Sequence, residues 1–517
     1  MIISVILLQQ QYIIPLANTI FDDEPKIAVF GDRLPVTQNF SSRTRPIILF
    51  PDYARNQIKK SSKIFEQSTR QAGQCYHYNI KPEKPNCTKD VLNQQFYVMQ
   101  THSFARYEQY FDKLQPGQLI NRLPGRSILL HKNSLTQAIN RYQRALKFNS
   151  SQQIFPQSFI LPENSYNLKK YMADGKWVIA KPSNSYAGRG IILTNRFSDI
   201  PLRDYVAQEY VTGVLMQNHK IDLRVMVLVT SLDPLIAYTH RSGFVKAAYN
   251  SYQKLSDSKI NELKTHLTNV AVNFGHDDRE LFTDSGAHAF FPLHTFMREI
   301  DEPQSIYDFK FNQQNNTLPS KIIKDNINTL VTRTLIQTYK PVLEQAKAET
   351  TRIHDFPRPF FGLLGLDVML LKNGTPVLLE VNDNTMISKN FNLDPDSEYN
   401  DLLIDMYNLI GIRINTDEDV INPEYGFDDK RIWRSNLTYN TSMNMYQLKA
   451  AQNNNIEYNK LTKFEQRSLM QLKDEATRLG EFQRLKFEDY EDEFYDASYL
   501  TKLLYIWIQQ EKEEGHT

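Results

Sequence analysis

Gly365-Leu366-Asp367-Val368-Met369-Leu370-Leu371-Lys372-Asn373-Gly374-Thr375-Pro376-Val377-Leu378-Leu379-Glu380-Val381-Asn382 is the stretch whose reading decides the fold. Two apolar runs flank Asn373-Gly374, the dipeptide preferred in two-residue hairpin turns because both residues tolerate positive φ. Pairing outward from that turn sets Lys372 opposite Thr375 and Asp367 directly opposite Glu380. The alternation of a strand then places Asn382 on the Glu380 face, with Gly365 across from it leaving room. Two carboxylates facing each other in an otherwise apolar hairpin repel, so the pairing calls for a cation or a raised pKa. Two carboxylates and an amide oxygen (Asp367, Glu380, Asn382) suit Mg²⁺, which completes its octahedron with waters and phosphates. The plainer alternative is a surface hairpin whose polar face is merely wet.

Upstream, Trp177-Val178-Ile179-Ala180-Lys181-Pro182 ends a strand on a lysine, and Ala187-Gly188-Arg189-Gly190-Ile191 follows as a short glycine loop. Backbone N–H groups of such a loop can approach phosphate oxygens while the lysine neutralises them. Gly-x-Gly alone is common in turns and gains weight only from its company. Gln208-Glu209-Tyr210-Val211 reads as an extended segment whose backbone meets an adenine edge while Glu209 accepts from a donor. Lys220-Ile221-Asp222-Leu223-Arg224 enters a strand, so Asp222 and Arg224 share one face and alternate with buried residues. Charges at the start of a buried strand need partners: phosphate, carboxylate or ribose, or simply each other as a structural Asp–Arg pair. His219 and His240 near strand ends read as surface or hydrogen-bonded fillers and receive no role.

The whole chain sets these pieces in context. Its 517 residues, 41% hydrophobic and 12% aromatic, suffice for two or three packed domains and are too apolar for a mainly disordered protein. Lys+Arg 60 against Asp+Glu 59 leaves +1, so no global charge announces nucleic acid or membrane as a partner. Two cysteines, Cys75 and Cys87, lack both a disulfide framework and metal-ligand spacing, which points to a reducing compartment. The opening MIISVILLQQQYIIPLANTI is apolar like a signal segment but has no basic start and is broken by glutamines, so it reads as a buried strand or helix. If it were cleaved, Asn86-Cys87-Thr88 would be a glycosylation sequon.

Residues 22–110 look like a small α/β lobe with long loops. From Ile120 to about residue 420, apolar strands alternate with helical stretches, an α/β core of mixed sheets. Its strands are expected over Trp177–Ala180, Val206–Tyr210, Leu223–Val229, Leu366–Leu371 and Val377–Val381, with the polar insert Phe309–Ser320 looping out. Beyond Pro423 the pattern is helical. Thr462-Lys463-Phe464-Glu465 is a capping box, followed by Leu469, Leu472, Ala476 and Leu479 at helical spacing and Gly480 as a stop. The acidic run Glu488–Glu493 reads as a solvated face.

The order of strand-lysine, glycine loop, apolar hinge, basic strand and carboxylate hairpin resembles the ATP-grasp fold of carboxylate–amine ligases. In detail it resembles the tubulin tyrosine ligase-like family. The likeness runs from Gln118-Leu119-Ile120-Asn121 and Lys132 through the segments above and His266-Leu267-Thr268-Asn269 to Leu379-Glu380-Val381-Asn382, covering about residues 115–415. More loosely, Leu461-Thr462, Glu475, Arg478, Gly480, Phe482, Arg484, Tyr499 and Trp507 look like the C-terminal extension of glutamate-ligating members. The resemblance implies an N-terminal lobe (1–115), an ATP-grasp-like ligase core (116–420) and a helical C-terminal extension (421–517). It implies ATP and Mg²⁺ as cofactors, tubulin in microtubules and a free amino acid, glutamate first, as partners, no nucleic acid or membrane, and a cytoplasmic, cytoskeletal place at the cilium or basal body. ATP would phosphorylate an acceptor carboxylate and an incoming amine would attack the acyl phosphate. By position, Lys132 would join the cofactor site, Lys181, Arg189 and Gly190 would approach phosphates, Gln208, Glu209, Tyr210 and Val211 the adenine, Lys220 and Asp222 the nucleotide, and Thr268 with Asn269 the ribose or phosphates. Arg224 would stabilise the acyl phosphate, and Lys246 would act beside it.

The departures from the family gather around the incoming amino acid. Gly243-Phe244-Val245-Lys246 has lysine where arginine is usual, which keeps the charge but loses the bidentate fork. Val270-Ala271 replaces a common Tyr-Ser, a lysine expected near His288 is missing, and Asp383-Asn384-Thr385 stands where Ser-Pro usually follows the metal asparagine. A glycine or tyrosine donor, a non-catalytic microtubule-binding member and a small-metabolite ATP-grasp ligase therefore stand as alternatives.

Overall fold

A computed structural model describes residues 48–49, 98–99 and, between 108 and 513, all but 115–118, 148–152, 186–187, 257–261, 274–281, 311–316, 356–357, 384–401 and most of 403–460. The opening apolar segment, Cys75, Cys87, Asn384-Thr385 and most of residues 421–460 lie outside the described residues.

In chain order the strands are β1 (Ile48–Leu49), β2 (Val98–Met99), β3 (Leu119–Ile120), β4 (Ser158–Ile160), β5 (Val178–Pro182), β6 (Ile192–Thr194), β7 (Tyr205–Glu209), β8 (Leu215–Met216), β9 (His219–Leu232), β10 (Leu235–Ala247), β11 (Phe290–Pro292), β12 (Gly362–Leu370), β13 (Pro376–Asp383) and β14 (Phe482–Arg484). The helices are α1 (Ser127–Leu130), α2 (Lys132–Leu146), α3 (Ser165–Met172), α4 (Leu263–His266), α5 (Val270–Asn273), α6 (Leu293–Glu299), α7 (Pro319–Glu349), α8 (Lys463–Ala476) and α9 (Tyr499–Glu513). Each of the five expected strands is present, three within a residue or two of the expected ends; Leu223–Val229 is the middle of the longer β9, and the strand expected from Leu366 begins four residues earlier, at Gly362.

The central sheet runs β11-β10-β9-β12-β13, with β14 on β10 and β8 on β9, and every pair is antiparallel. The short β1-β2-β3 ladder pairs in parallel, and an isolated parallel bridge joins Ile120 to Phe360. Val225 through Val229 are buried without alternation because helices cover both faces. On successive residues of β10, Tyr238 donates to Glu475 of α8 and Thr239 to Asn328 of α7. Helix α7, 31 residues long with Pro319 in its first turn, was not anticipated as an element. It buries Ile323, Ile327, Leu330 and Val331, while the expected loop over Phe309–Ser320 gives up Pro319 and Ser320 to its start.

A smaller antiparallel sheet, β4-β7-β5-β6, has its own core of Phe159, Leu168, Met172, Val178 and Ala180, with α3 packed on it. A cleft lined by β5, β7, the α1–α2 segment and β13 lies between this small sheet and the central one.

At the C-terminal end the capping box forms as expected: Glu465 N–H donates to Thr462 Oγ1 at 3.3 Å and Thr462 N–H to Glu465 Oε2 at 2.8 Å. The helix stops at Ala476, short of Leu479, and Gly480 follows with φ +53°. The solvated reading of Glu488–Glu493 fails at two positions. Glu488 is buried against Arg484 and Lys512, and Glu493 takes a forked bond from Arg333, because α9 and α7 close over this turn. Phe482, Phe487 and Phe494 join the same apolar cluster as the central sheet.

Candidate active site

The hairpin β12–β13 corrects the expected turn and keeps the expected pairing. Leu371 N–H donates to Thr375 O and Gly374 N–H to Leu371 O, both at 2.8 Å, so three residues rather than two fill the loop, and Lys372 does not face Thr375. Of Asn373-Gly374 only the glycine has positive φ, +82°. Asn373 instead accepts from Thr375 N–H through its side chain. The extra loop residue shifts the register to Val368↔Leu378, and a bulge that leaves Leu379 unpaired shifts it back to Asp367↔Glu380 and Gly365↔Asn382. The same bulge turns Leu378 into the core beside Val381, leaving Glu380 and Asn382 together on the other face.

Four neighbouring strands then carry one charged row. Lys246 on β10 pairs with Asp222 on β9, Arg224 on β9 with Asp367 on β12, and Asp367 with Glu380 on β13. Arg224 donates to both oxygens of Asp367 (2.5 and 3.0 Å), and the Lys246 ammonium lies 3.0 Å from Asp367 and 2.8 Å from Asp222. Asn382 Nδ2 adds a 3.4 Å contact to Asp367, and Thr268 Oγ1 donates to Asp222. The relief that two facing carboxylates require therefore comes first from the protein's own cations. Burial pushes the Asp367 carboxyl up, but Arg224 and Lys246 together outweigh it and hold it well below the usual range. Asp222, more deeply desolvated than its partners compensate, is pushed upward instead.

The opposite wall of the cleft belongs to the small sheet. Lys181 donates to Gln208 Oε1 at 2.9 Å, and Gln208 Nε2 donates to Ser158 Oγ at 3.1 Å. Lys132 donates to Ser185 O at 2.8 Å and stands 3.9 Å from Glu380. These polar groups and the apolar Leu135, Phe155 and Val206 line the cleft together with Glu380. Burial lowers the Lys181 ammonium to about 8, opposed by the charge of Glu380. At the strand end, Lys220 sits 3.9 Å over the Tyr210 ring and donates to Val211 O at 2.6 Å, and burial brings it to about 7. Tyr210 and His266 share a 2.9 Å hydrogen bond, and burial followed by the Lys220 charge lowers His266 to about 4.

Four expected residues stand apart from this cleft. Glu209 is exposed on the outer face of β7, where burial and then Glu209 raise Tyr171 to about 12, because strand alternation turns it away from Gln208. Arg189 and Gly190 are exposed in the glycine loop, whose Gly190 (φ +72°) accepts from Tyr205 at 3.1 Å through its carbonyl. Asn269 accepts through its carbonyl from the N–H groups of Val272 and Asn273 at the start of α5.

Sequence reasoning assigned no part to His266, Ser158, Arg122 or Arg126. The two arginines hold Asp383, next to Asn382, at 2.6 and 2.8 Å, and their four-residue spacing ahead of α1 was the one available signal. His219 and His240 are indeed hydrogen-bonded, though buried: His219 contacts Ala248 O and Ser285, and His240 contacts Asp405. Among the described residues no group of three or more His, Cys, Asp or Glu side chains gathers at one point. A cation at the hairpin would draw on two carboxylates and the Asn382 amide, oxygen donors that fit a hard divalent ion.

Residues 111–418, more than half of the chain, match the profile of the tubulin-tyrosine ligase family. The chain belongs to this family. All the site residues above lie within the matched span. Family relatives include a probable beta-tubulin polyglutamylase of Tetrahymena thermophila, 26% identical over 81% of this chain and 33% of that protein. The tubulin polyglutamylase TTLL6 of Homo sapiens is 27% identical over 60% of this chain and 33% of that protein. The tubulin polyglutamylase ttll-4 of Caenorhabditis elegans is 28% identical over 81% of this chain and 68% of that protein. The matched part thus spans a third of the Tetrahymena and human relatives and about two thirds of the nematode one. Family membership agrees with the ATP-grasp-like α/β architecture, and no described helix is long and apolar enough to cross a membrane.

Proposed function

We propose that the chain is an ATP- and Mg²⁺-dependent ligase that joins glutamate to glutamate side chains of tubulin through an acyl phosphate. The observation that carries this reading is the charged row Lys246, Asp222, Arg224, Asp367 and Glu380 on one sheet, with Lys132 and Lys181 along the cleft it faces. Such a site works by positioning and charge neutralisation, which is what phosphorylating a carboxylate and then aminating it requires. Lys132 and Lys181 neutralise the nucleotide's phosphates, and the backbone of Gln208 to Val211 meets the adenine, the Gln208 side chain being committed to Lys181 and Ser158. Arg224 offers its guanidinium to the developing acyl phosphate. Glu380, Asn382 and Asp367 would hold Mg²⁺, which when bound draws charge from the phosphate oxygens. The glutamate donor and tubulin acceptor rest on the relatives, which are named tubulin polyglutamylases, and the same reading places the chain on the microtubule cytoskeleton, at the cilium or basal body. The core at 116–420 carries the chemistry, flanked by 1–115 and 421–517.

The test is purified protein with ATP, Mg²⁺, tubulin and each labelled amino acid in turn. Glutamate incorporation alone is expected. Glycine or tyrosine incorporation would move the donor, and none at all with ATP still bound would replace the ligase by a binding protein.

A further inference from the structure

Asn382 and Asp383 end β13, and strand alternation turns their side chains to opposite faces of the sheet. Asn382 turns its Nδ2 to the protein, 3.4 Å from both Gly365 O and Asp367 Oδ2, so its amide oxygen is the atom offered to a cation. Both contacts are long, and neither fixes the strand end by itself. Asp383 is held far more firmly. Its Oδ2 accepts from Arg122 at 2.6 Å and from Arg126 at 2.8 Å, and the Asp383 and Arg122 side chains are 5% and 0% exposed. Glu108 takes the other end of Arg126 at 3.1 Å, so two cations meet two carboxylates. The arginines stand on a segment that is itself tied down. Ile120 N–H donates to Pro359 O at 2.8 Å and Phe361 N–H to Ile120 O at 3.1 Å, just ahead of β12, and Gly125 N–H donates to Glu349 of α7 at 2.8 Å. Gly125 (φ +75°) lies so close to α7 that a Cβ there would fall 2.1 Å from Val342 O.

We propose that Arg122, Arg126 and Asp383 are positioning residues that hold the end of β13 so that the Asn382 amide oxygen faces the cation site beside Glu380 and Asp367. This rests on the reading of those three residues as a metal site. A ligand whose own contacts are weak depends on such outer partners, and losing them typically costs about 10–100-fold in metal affinity. Asp383 belongs to the stretch that departs from the family's usual Ser-Pro, and a carboxylate there is what the two arginines require.

The experiment measures Mn²⁺ affinity on the full chain by the electron paramagnetic resonance of free Mn²⁺, with a non-hydrolysable ATP analogue present and a blank of analogue without protein. Asp383→Asn and Arg126→Met should each weaken Mn²⁺ binding by about 10–100-fold, and Arg126→Lys, which keeps the cation, should recover most of it. Asn382→Ala sets the scale of losing the ligand itself. Arg333→Ala, which breaks the fork to Glu493 in the C-terminal segment, should lower stability and bind Mn²⁺ as wild type does. Weakening in Asn382→Ala without weakening in the Asp383 and Arg126 variants overturns the inference and leaves the metal site standing. Wild-type affinity in Asn382→Ala, or no Mn²⁺ bound by wild type, removes the metal reading and the inference with it. Equal weakening in Arg333→Ala reduces the effect to lost stability and also overturns the inference. Should Asp383→Asn fail to fold, Arg126→Met carries the test, since it leaves Arg122 on Asp383.

Discussion

Asp367 faces Glu380 across the hairpin because Leu379 bulges out of β13 and cancels the third residue of the turn. The pairing sets two unequal carboxylates opposite each other. Asp367 is 3% exposed and holds Arg224 and Lys246, while Glu380 lies at the cleft with Lys132 3.9 Å away and the charge of Lys181 also acting on it. Glu380→Gln should therefore abolish glutamate incorporation and leave the urea midpoint unchanged. Asp367→Asn should lose incorporation and about 3–5 kcal/mol of stability, because it strands buried cations. Parallel urea unfolding and incorporation assays read both, and equal stability losses would contradict the asymmetry.

The three-residue turn makes its own prediction. Gly374 has φ +82°, which costs any other residue about 1–2 kcal/mol, so Gly374→Ala should lower stability by that amount. Asn373 contributes only its side-chain bond to Thr375 N–H, and Asn373→Ala should cost about 0.5–1.5 kcal/mol. Unfolding midpoints of the two variants discriminate the turns. A two-residue type I′ turn would hold position 373 at positive φ and make Asn373→Gly clearly better tolerated than Asn373→Ala, whereas here Asn373→Gly should be no better than Asn373→Ala.

The hairpin was legible because apolar alternation and a turn dipeptide are local signals, yet its turn type was not. A loop residue and a bulge that cancel leave the distant pairing unchanged, so counting from the turn reached Asp367 opposite Glu380 by a register that is wrong at Val368. The partners of Asp367 were hidden for a different reason. Arg224 and Lys246 reach it from strands that the sequence separates by more than a hundred residues, and neither period nor propensity carries that distance. The capping box at Thr462 was legible in full, being four consecutive residues. Glu488 was misread because its burial depends on α9 folding over it.

Buried Glu475 should make stability depend on pH. Burial raises its carboxyl above the usual 4.5, against the hydrogen bonds donated by Tyr238 (2.7 Å), Gln471 (2.7 Å) and Thr230 (3.0 Å). The folded chain then binds this proton more tightly than the unfolded one, so its contribution is fully present below pH 4.5 and is lost as pH rises through the higher folded value. In Glu475→Gln the amide oxygen can accept from Tyr238 and Thr230, the new amide N–H₂ faces that of Gln471, whose oxygen stays with Arg358, at a cost that does not change with pH, and the titration disappears. Relative to wild type, the variant's urea midpoint should climb between pH 4.5 and 8. A difference that stays flat across that range would rule out the buried acid as its source.

The C-terminal segment should prove inseparable from the ligase core. β14 extends the central sheet along Tyr238, Thr239 and His240, and Phe464, Leu469, Phe482, Phe487, Phe494 and Leu503 belong to the same apolar cluster as Val225–Val229. Polar groups cross the junction as well. The buried Arg358 guanidinium, lowered to about 10 by burial, donates to Gln471 at 2.8 Å, to Ser468 at 2.9 Å and to Asp233 O, and Tyr238 donates to Glu475. Removing residues 461–517 would expose one face of β10, leave Tyr238 without Glu475 and leave Arg358 with Asp233 O but without Gln471 and Ser468, a loss that no surface extension would cause. The truncated chain should be insoluble or bind hydrophobic dye without cooperative unfolding, while Arg358→Ala in the full chain should fold with a reduced urea midpoint. A soluble 1–460 chain that unfolds cooperatively at the wild-type midpoint would show that the core closes without its C-terminal helices.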